Sequence, residues 1–117
     1  MTTLILVRHG ETDWNRDGRW QGHADRSLND RGREQSRALA DALAGEDVAA
    51  VYASDLSRAR ETAEIVAARL GRPVGVDARL REVDVGGWSG LTMAEIEARF
   101  PMEVARWRAE EAGPARI

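Results

Sequence analysis

The chain has 117 residues, enough for one domain with a real hydrophobic core and too few for two. Hydrophobic residues make up 43%, charged residues 32% and the net charge is −3, a soluble globular balance in which arginines alternate with Asp and Glu, so nucleic-acid binding is not indicated. All 17 basic residues are arginine and cysteine is absent, which excludes Schiff-base lysines, a phosphate-loop lysine, thiolate nucleophiles, zinc-thiolate sites and iron–sulfur clusters.

In chain order, Thr3 to Val7 reads as a fully buried strand, being short, rich in Leu, Ile and Val, and without polar alternation. Arg8-His9-Gly10 falls just past its end. From Glu11 to Asp30 the chain is polar and punctuated by glycine, with Trp14 and Trp20 as apolar anchors. It reads as a long ordered loop containing a short helical turn, a kind of segment that often carries function. Asn29 or Asp30 caps a helix to about Ala44, with Leu39, Leu43, Ala38 and Ala42 on its apolar side, and Gly45 stops it. Val48 to Ser54 is a second buried strand. Asp55 or Ser57 caps the next helix, whose stripe is Ala59, Ala63, Val66 and Leu70, and Gly71 and Pro73 end it.

Val74 to Val76 is a third strand, followed by the loop "RLREVDVGGWSGLT" around Trp88. Thr92 and Glu95 form a capping box for a helix carrying Met93, Ile96 and Phe100, and Pro101 opens a last helix presenting Val104 and Trp107. Alternating strands and helices predict an α/β fold with a mainly parallel sheet, a single domain over residues 1–117. No apolar run is long enough to span a bilayer and the N-terminus lacks the pattern of an export signal, so a cytoplasmic protein is expected.

Ligands of open parallel sheets bind beyond the strand C-termini, where helix N-termini point. Arg8-His9-Gly10 after the first strand and Arg58 inside the helix after the second converge there, with Asn15 in the intervening loop. Arginine suits phosphate because its planar fork offers paired donors and stays charged. A lone histidine after a strand is more often structural than catalytic, and taken singly Arg58 is a surface cation. Together these residues amount to an anion site with a histidine. Glu82 or the neighbouring Asp84 would supply a proton there, whereas His23 reads as a loop residue.

Four successive segments, "LVRHGETDWN", "GRWQGHADRSLNDRG", "VYASDLSRARETAEIV" and "LREVDVGGWSGLT", resemble the ordered motifs of the histidine phosphatase superfamily, in the branch of cofactor-dependent phosphoglycerate mutases and related phosphatases. The resemblance implies a three-layer αβα fold, incomplete at its C-terminal side. His9 would be the nucleophile that becomes phosphohistidine and Glu82 the proton donor. Arg8, Arg58 and Asn15 would hold the phosphoryl group, and Gln21 and Gly22 the substrate. No metal or other cofactor is expected, because arginines neutralise the phosphate charge. The implied partners are a small phosphorylated substrate and inorganic phosphate, with no nucleic acid and no membrane.

The chain departs from the family in two ways: no later segment matches its second catalytic histidine, and family members are longer. The expectation is therefore the N-terminal portion of a family domain. If the chain ends at Ile117, an open sheet edge predicts a homodimer or a covering partner. A smaller difference is Ser89, where the family often carries an acidic residue. The short helix and "FPMEVARWRAEE" after "GLT" resemble the phosphatases, since the mutases carry a longer basic insertion there. A metal-independent phosphomonoesterase is favoured over a phosphoglycerate mutase or a non-catalytic phosphate-binding fragment.

Overall fold

The computed structural model describes residues 2–111. Its regular elements are α1 (Asp13–Arg16), α2 (Asp30–Leu43), β1 (Val51–Ala53), α3 (Ser57–Leu70), β2 (Val74–Val76), α4 (Met93–Arg99) and α5 (Pro101–Glu111). Single 3-10 turns lie at Ala78–Leu80 and Gly86–Trp88. The strands β1 and β2 pair in parallel, with Val51 opposite Val74, Tyr52 opposite Gly75 and Ala53 opposite Val76, and α3 forms the crossover between them. This is the parallel β-α-β unit that the alternation of elements predicts, and α2 packs against its helix.

Small residues let the two long helices approach. The buried positions of α2 are Gly32, Ser36 and Ala40, and those of α3 are Arg58, Thr62, Ala63, Val66 and Ala67. The expected apolar side of α2 is therefore turned: Leu39 and Leu43 are half-buried at the edge of an open cavity of about 470 Å³, and Ala38 and Ala42 are exposed. The α3 stripe keeps Ala63 and Val66 but is shifted to include two polar residues, Arg58 and Thr62, each with hydrogen-bond partners. Periodicity locates an apolar stripe, but close helix packing is decided by side-chain size.

The expected strand at Thr3–Val7 is not a strand among the described residues. The segment carries no ladder bonds; Leu4 and Leu6 are 79% and 92% exposed, whereas Ile5 and Val7 are half-exposed beside α2. Its composition suits a strand buried on both faces, but every residue from Thr3 to Val7 is exposed. The second strand is shorter than Val48–Ser54, and Tyr52 on it is exposed.

Caps follow the sequence closely with one exception. Asn29 caps α2 through Gly32 N–H, Gly71 closes α3 at φ 68°, and Thr92 with Glu95 forms the reciprocal box of α4. For α3 neither Asp55 nor Ser57 serves as the cap. The cap position is Leu56, and Ser57 N–H instead donates to Asp25 Oδ1 at 2.7 Å, a carboxylate brought in from the long loop. That hydrogen bond is the main reason the Asp25 carboxyl is held below its ordinary pKa.

A second cluster forms where the loops meet α4 and α5. Trp20, Trp88 and Trp107 stack edge to face on one another with centroids 5.4–5.9 Å apart, and Ile96 of α4 and Val104 of α5 are buried. Trp20 N–H donates to Leu91 C=O and Gly90 N–H to Trp20 C=O, so the long loop and the segment before α4 are joined by backbone as well as by rings.

Candidate active site

The segment bearing His9 is fixed by backbone packing. Gly10 N–H donates to Thr62 Oγ1 at 3.0 Å, and a side chain on Gly10 would run into the carbonyl of Gly32 in the first turn of α2. Gly32 in turn lies against the Glu11 backbone with no room for a Cβ. Glycine at both positions lets two backbones touch, and this touch holds His9 at the mouth of the helix pair.

The imidazole is oriented by its own neighbour. His9 Nδ1 lies 2.6 Å from the Gly10 carbonyl, which can only accept, so Nδ1 carries the hydrogen. In the neutral ring the lone pair is then on Nε2. That atom faces Glu82 Oε1 at 3.3 Å, with the His9 side chain 11% exposed and Glu82 51% exposed.

Arg58 is 1% exposed, where sequence alone allowed a surface cation. Its Nη1 donates to Ala24 C=O at 2.6 Å and its Nη2 to Gly22 C=O at 2.5 Å, and Nη2 also lies 3.6 Å from Glu82 Oε1. The guanidinium thus braces the long loop with part of its donor set and turns one edge to Glu82. Arg8 is exposed and has no hydrogen bond or ion pair among the described residues.

Asn15 and Gln21 meet at Thr12, which is fully buried. Thr12 N–H donates to Asn15 Oδ1 at 3.0 Å, Asn15 N–H donates to Thr12 Oγ1, and that hydroxyl donates to Gln21 Oε1 at 2.6 Å. Both side-chain oxygens are occupied, which leaves their amide hydrogens as the groups that could meet an anion. Gly22 takes φ +51°, and a Cβ there would come within 2.8 Å of the Val85 side chain and 3.0 Å of the Val83 carbonyl.

Contacts link His9, Glu82, Arg58 and Gly22 from three segments: the His9–Gly22 stretch, the first turn of α3 and the loop at 82. Asn15 and Gln21 instead meet at Thr12 and Arg8 is exposed, none of these three forming a hydrogen bond or ion pair with His9 or Glu82 among the described residues. Asp84 stands apart from His9, accepting instead from Gly86 N–H at 3.0 Å. Two contacts escaped sequence reasoning. His23 Nε2 donates to the Glu82 carbonyl at 2.7 Å, and Arg81 forms a two-pronged pair with Asp55 at 2.7 and 2.6 Å. The Arg81 hydrogen bonds are the chief reason the Asp55 carboxyl is held below its ordinary pKa. Neither contact has a local signature, because each joins residues far apart in the chain.

Residues 4–116 match the family model of the histidine phosphatase superfamily, branch 1. The chain belongs to that superfamily. Among curated histidine phosphatase relatives, it is 43% identical over 105 residues to glucosyl-3-phosphoglycerate phosphatase of Mycobacterium tuberculosis, covering 90% of this chain and 47% of that protein. It is 39% identical over 107 residues to phosphoserine phosphatase 1 of Hydrogenobacter thermophilus, covering 92% and 51%. It is 47% identical over 100 residues to phosphoglycerate mutase-like protein 4 of Arabidopsis thaliana, covering 84% and 44%. The chain spans about half the length of the curated relatives it matches.

A solved mycobacterial glucosyl-3-phosphoglycerate phosphatase, in complex with VO3, superposes with a TM-score of 0.80 at 43% identity, covering 86% of this chain and 48% of the other. The fold is therefore the phosphoglycerate mutase-like α/β fold of the histidine phosphatases, of which the described residues form an incomplete αβα arrangement.

Proposed function

We propose that the chain carries the nucleophile, acid and phosphate-binding residues of a metal-independent phosphomonoesterase that works through phosphohistidine. The single observation behind the reading is the His9 ring: Nδ1–H is engaged by the Gly10 carbonyl, so the Nε2 lone pair faces the Glu82 carboxyl, which Arg58 also approaches. Family membership and the phosphatase relatives support it.

In this reading the phosphoryl group of a small ester enters between His9 and Glu82, taking the place of the carboxyl at Nε2. The Nε2 lone pair attacks phosphorus in line while the P–O ester bond breaks, and protonated Glu82 gives its proton to the departing alkoxide. The Gly10 carbonyl stabilises the positive charge that develops on the ring. Arg8, the open edge of Arg58 and the Asn15 amide hold the equatorial oxygens, supplying the charge neutralisation that phosphoryl transfer needs. Water then attacks phosphorus, Glu82 takes the proton, the P–N bond breaks, and phosphate leaves with His9 regenerated. Gln21 and Gly22 line the approach of the alcohol portion. A cytoplasmic setting belongs to the same reading and is supported by the cysteine-free composition.

The test is turnover of a chromogenic phosphate ester in the presence of a chelator, with His9→Ala as the control. Chelator-resistant hydrolysis that His9→Ala abolishes, together with an acid-labile phosphoenzyme, is expected. Chelator-sensitive hydrolysis, or activity surviving in His9→Ala, overturns the reading. A second reading, phosphate binding without turnover, is favoured by the openness of the site, where Glu82 is 51% exposed. It predicts phosphate binding that depends on Arg8 and Arg58 with no hydrolysis. Exchange between phosphoglycerates requiring a bisphosphorylated primer would instead mark a mutase.

A further inference from the structure

Glu82 lies on a segment without regular secondary structure, and its side chain is half-exposed, so its position beside His9 needs an external cause. One cause is the ring of His23, a residue outside the proposed phosphoryl-transfer set. Its Nε2 donates to the Glu82 main-chain carbonyl at 2.7 Å, a good hydrogen-bond length. The approach that makes this possible is built into the backbone: Gly22, next to His23, lies where any Cβ would meet Val83 O and Val85. Arg58 fixes the same loop from the other side through the carbonyls of Gly22 and Ala24, so the donor on His23 sits on a braced segment. Asp84 Oδ2 is 4.0 Å from His23 Nδ1, beyond hydrogen-bond reach, so the Nε2 contact is what ties the ring to this loop.

We infer that His23 is a positioning residue for Glu82, holding the peptide of the acid so that its carboxyl faces His9 Nε2. The inference rests on the phosphoryl-transfer reading for its catalytic consequence, though not for its geometry. His23 touches no reacting atom; it acts by donating one hydrogen bond to the backbone that carries one.

The experiment compares His23→Gln, whose amide nitrogen lies near the place of Nε2, with His23→Asn, whose amide falls near Nδ1, and with His23→Leu, which has no donor. In phosphate-ester turnover by the full chain, Asn and Leu are expected to lower kcat about tenfold or more, as a misplaced acid does, while KM stays within about threefold. Gln is expected to restore kcat to near wild type. In a Glu82→Gln background the His23 substitutions should have no further effect. A Leu variant with unchanged kcat, or Gln impaired as much as Leu, overturns the inference.

A second readout needs no activity. The chain has two histidines, so in any His23 variant the remaining imidazole signals belong to His9. Glu82→Gln should shift the His9 ring nitrogen and Hε1 resonances; His23→Leu and His23→Asn should shift them in the same direction, and the Gln variant of His23 should not. His9 signals that stay at their wild-type positions in both Leu and Asn variants refute the positioning role. Absence of wild-type turnover would count against the phosphatase reading alone, since the resonance comparison stands without it. Should the Leu variant fail to fold, the Gln and Asn pair, both polar and matched in chemistry, still decides.

Discussion

The two sides of the site are held in different ways. His9 stands on a backbone wedged between Gly32 of α2 and Thr62 of α3, so its position follows from helix packing. Glu82 stands on a loop pinned by individual side-chain contacts: the Arg81–Asp55 pair beside it and the His23 hydrogen bond to its carbonyl. A packed backbone yields only when the helices part. A pinned loop yields one contact at a time. The proposed nucleophile is thus set by the fold, and the proposed acid by point contacts that a single substitution can loosen.

Four experiments sharpen or break that contrast. The largest effect is expected from Gly32→Ala, which pushes a methyl group into the Glu11 backbone and forces α2 away from the His9 segment. It should cost roughly 3 kcal/mol, read as a fall in the denaturant midpoint, since overpacking against backbone cannot be relieved by a rotamer change. A Gly32→Ala protein as stable as wild type would mean the nucleophile is not held by this contact.

Next comes Glu82→Gln. Loss of the acid should lower kcat for a poor leaving group about 100-fold and leave global stability within about 0.5 kcal/mol, because the side chain is half-exposed and its loop is pinned by other residues. Equal losses in stability and rate would put Glu82 in the structural frame instead.

Asp25→Ala should be smaller, at about 1 kcal/mol, the usual worth of a helix cap, measured as a lower thermal midpoint. The fourth concerns pH. The carboxyl of Asp25 is held below its ordinary value in the fold, mainly by Ser57 N–H. Its contribution is therefore complete above the ordinary aspartate range near pH 4 and is lost as the pH falls through the lowered value. Asp25→Asn keeps an acceptor without a titration, so it should lose less stability than wild type on acidification from about pH 5 downward. Parallel acid limbs for the two proteins would show that this carboxylate does not couple to folding.

The regularity of α2, α3 and α4 was legible in the sequence because caps and periodicity are local. Asn29, Gly71 and the Thr92–Glu95 box each act within a few residues. Two kinds of feature were not legible. The strand expected at Thr3–Val7 depends on neighbours at both faces and along its edge, and hydropathy reports neither, so an exposed Leu4 and Leu6 look the same as buried ones. The tethers of the site depend on pairs 26–59 residues apart that no spacing rule connects, from Arg81 at Asp55 to His23 at Glu82, with Asp25 at Ser57 between them. For the site itself, "LVRHGET" and "LSRARET" mark where His9 and Arg58 fall. What the motif does not convey is that Arg58 is buried and spends donors on the Gly22 and Ala24 carbonyls.

The tryptophan cluster makes these loops observable. Three of the chain's four indoles, at Trp20, Trp88 and Trp107, lie edge to face, and Trp20 immediately precedes Gln21. Indoles in such proximity couple their electronic transitions, so the cluster should give an intense near-ultraviolet circular dichroism signal whose sign and size depend on the mutual angles. The protein thereby carries an internal optical gauge of whether the loop bearing Gln21 and Gly22 is seated, readable without label or ligand.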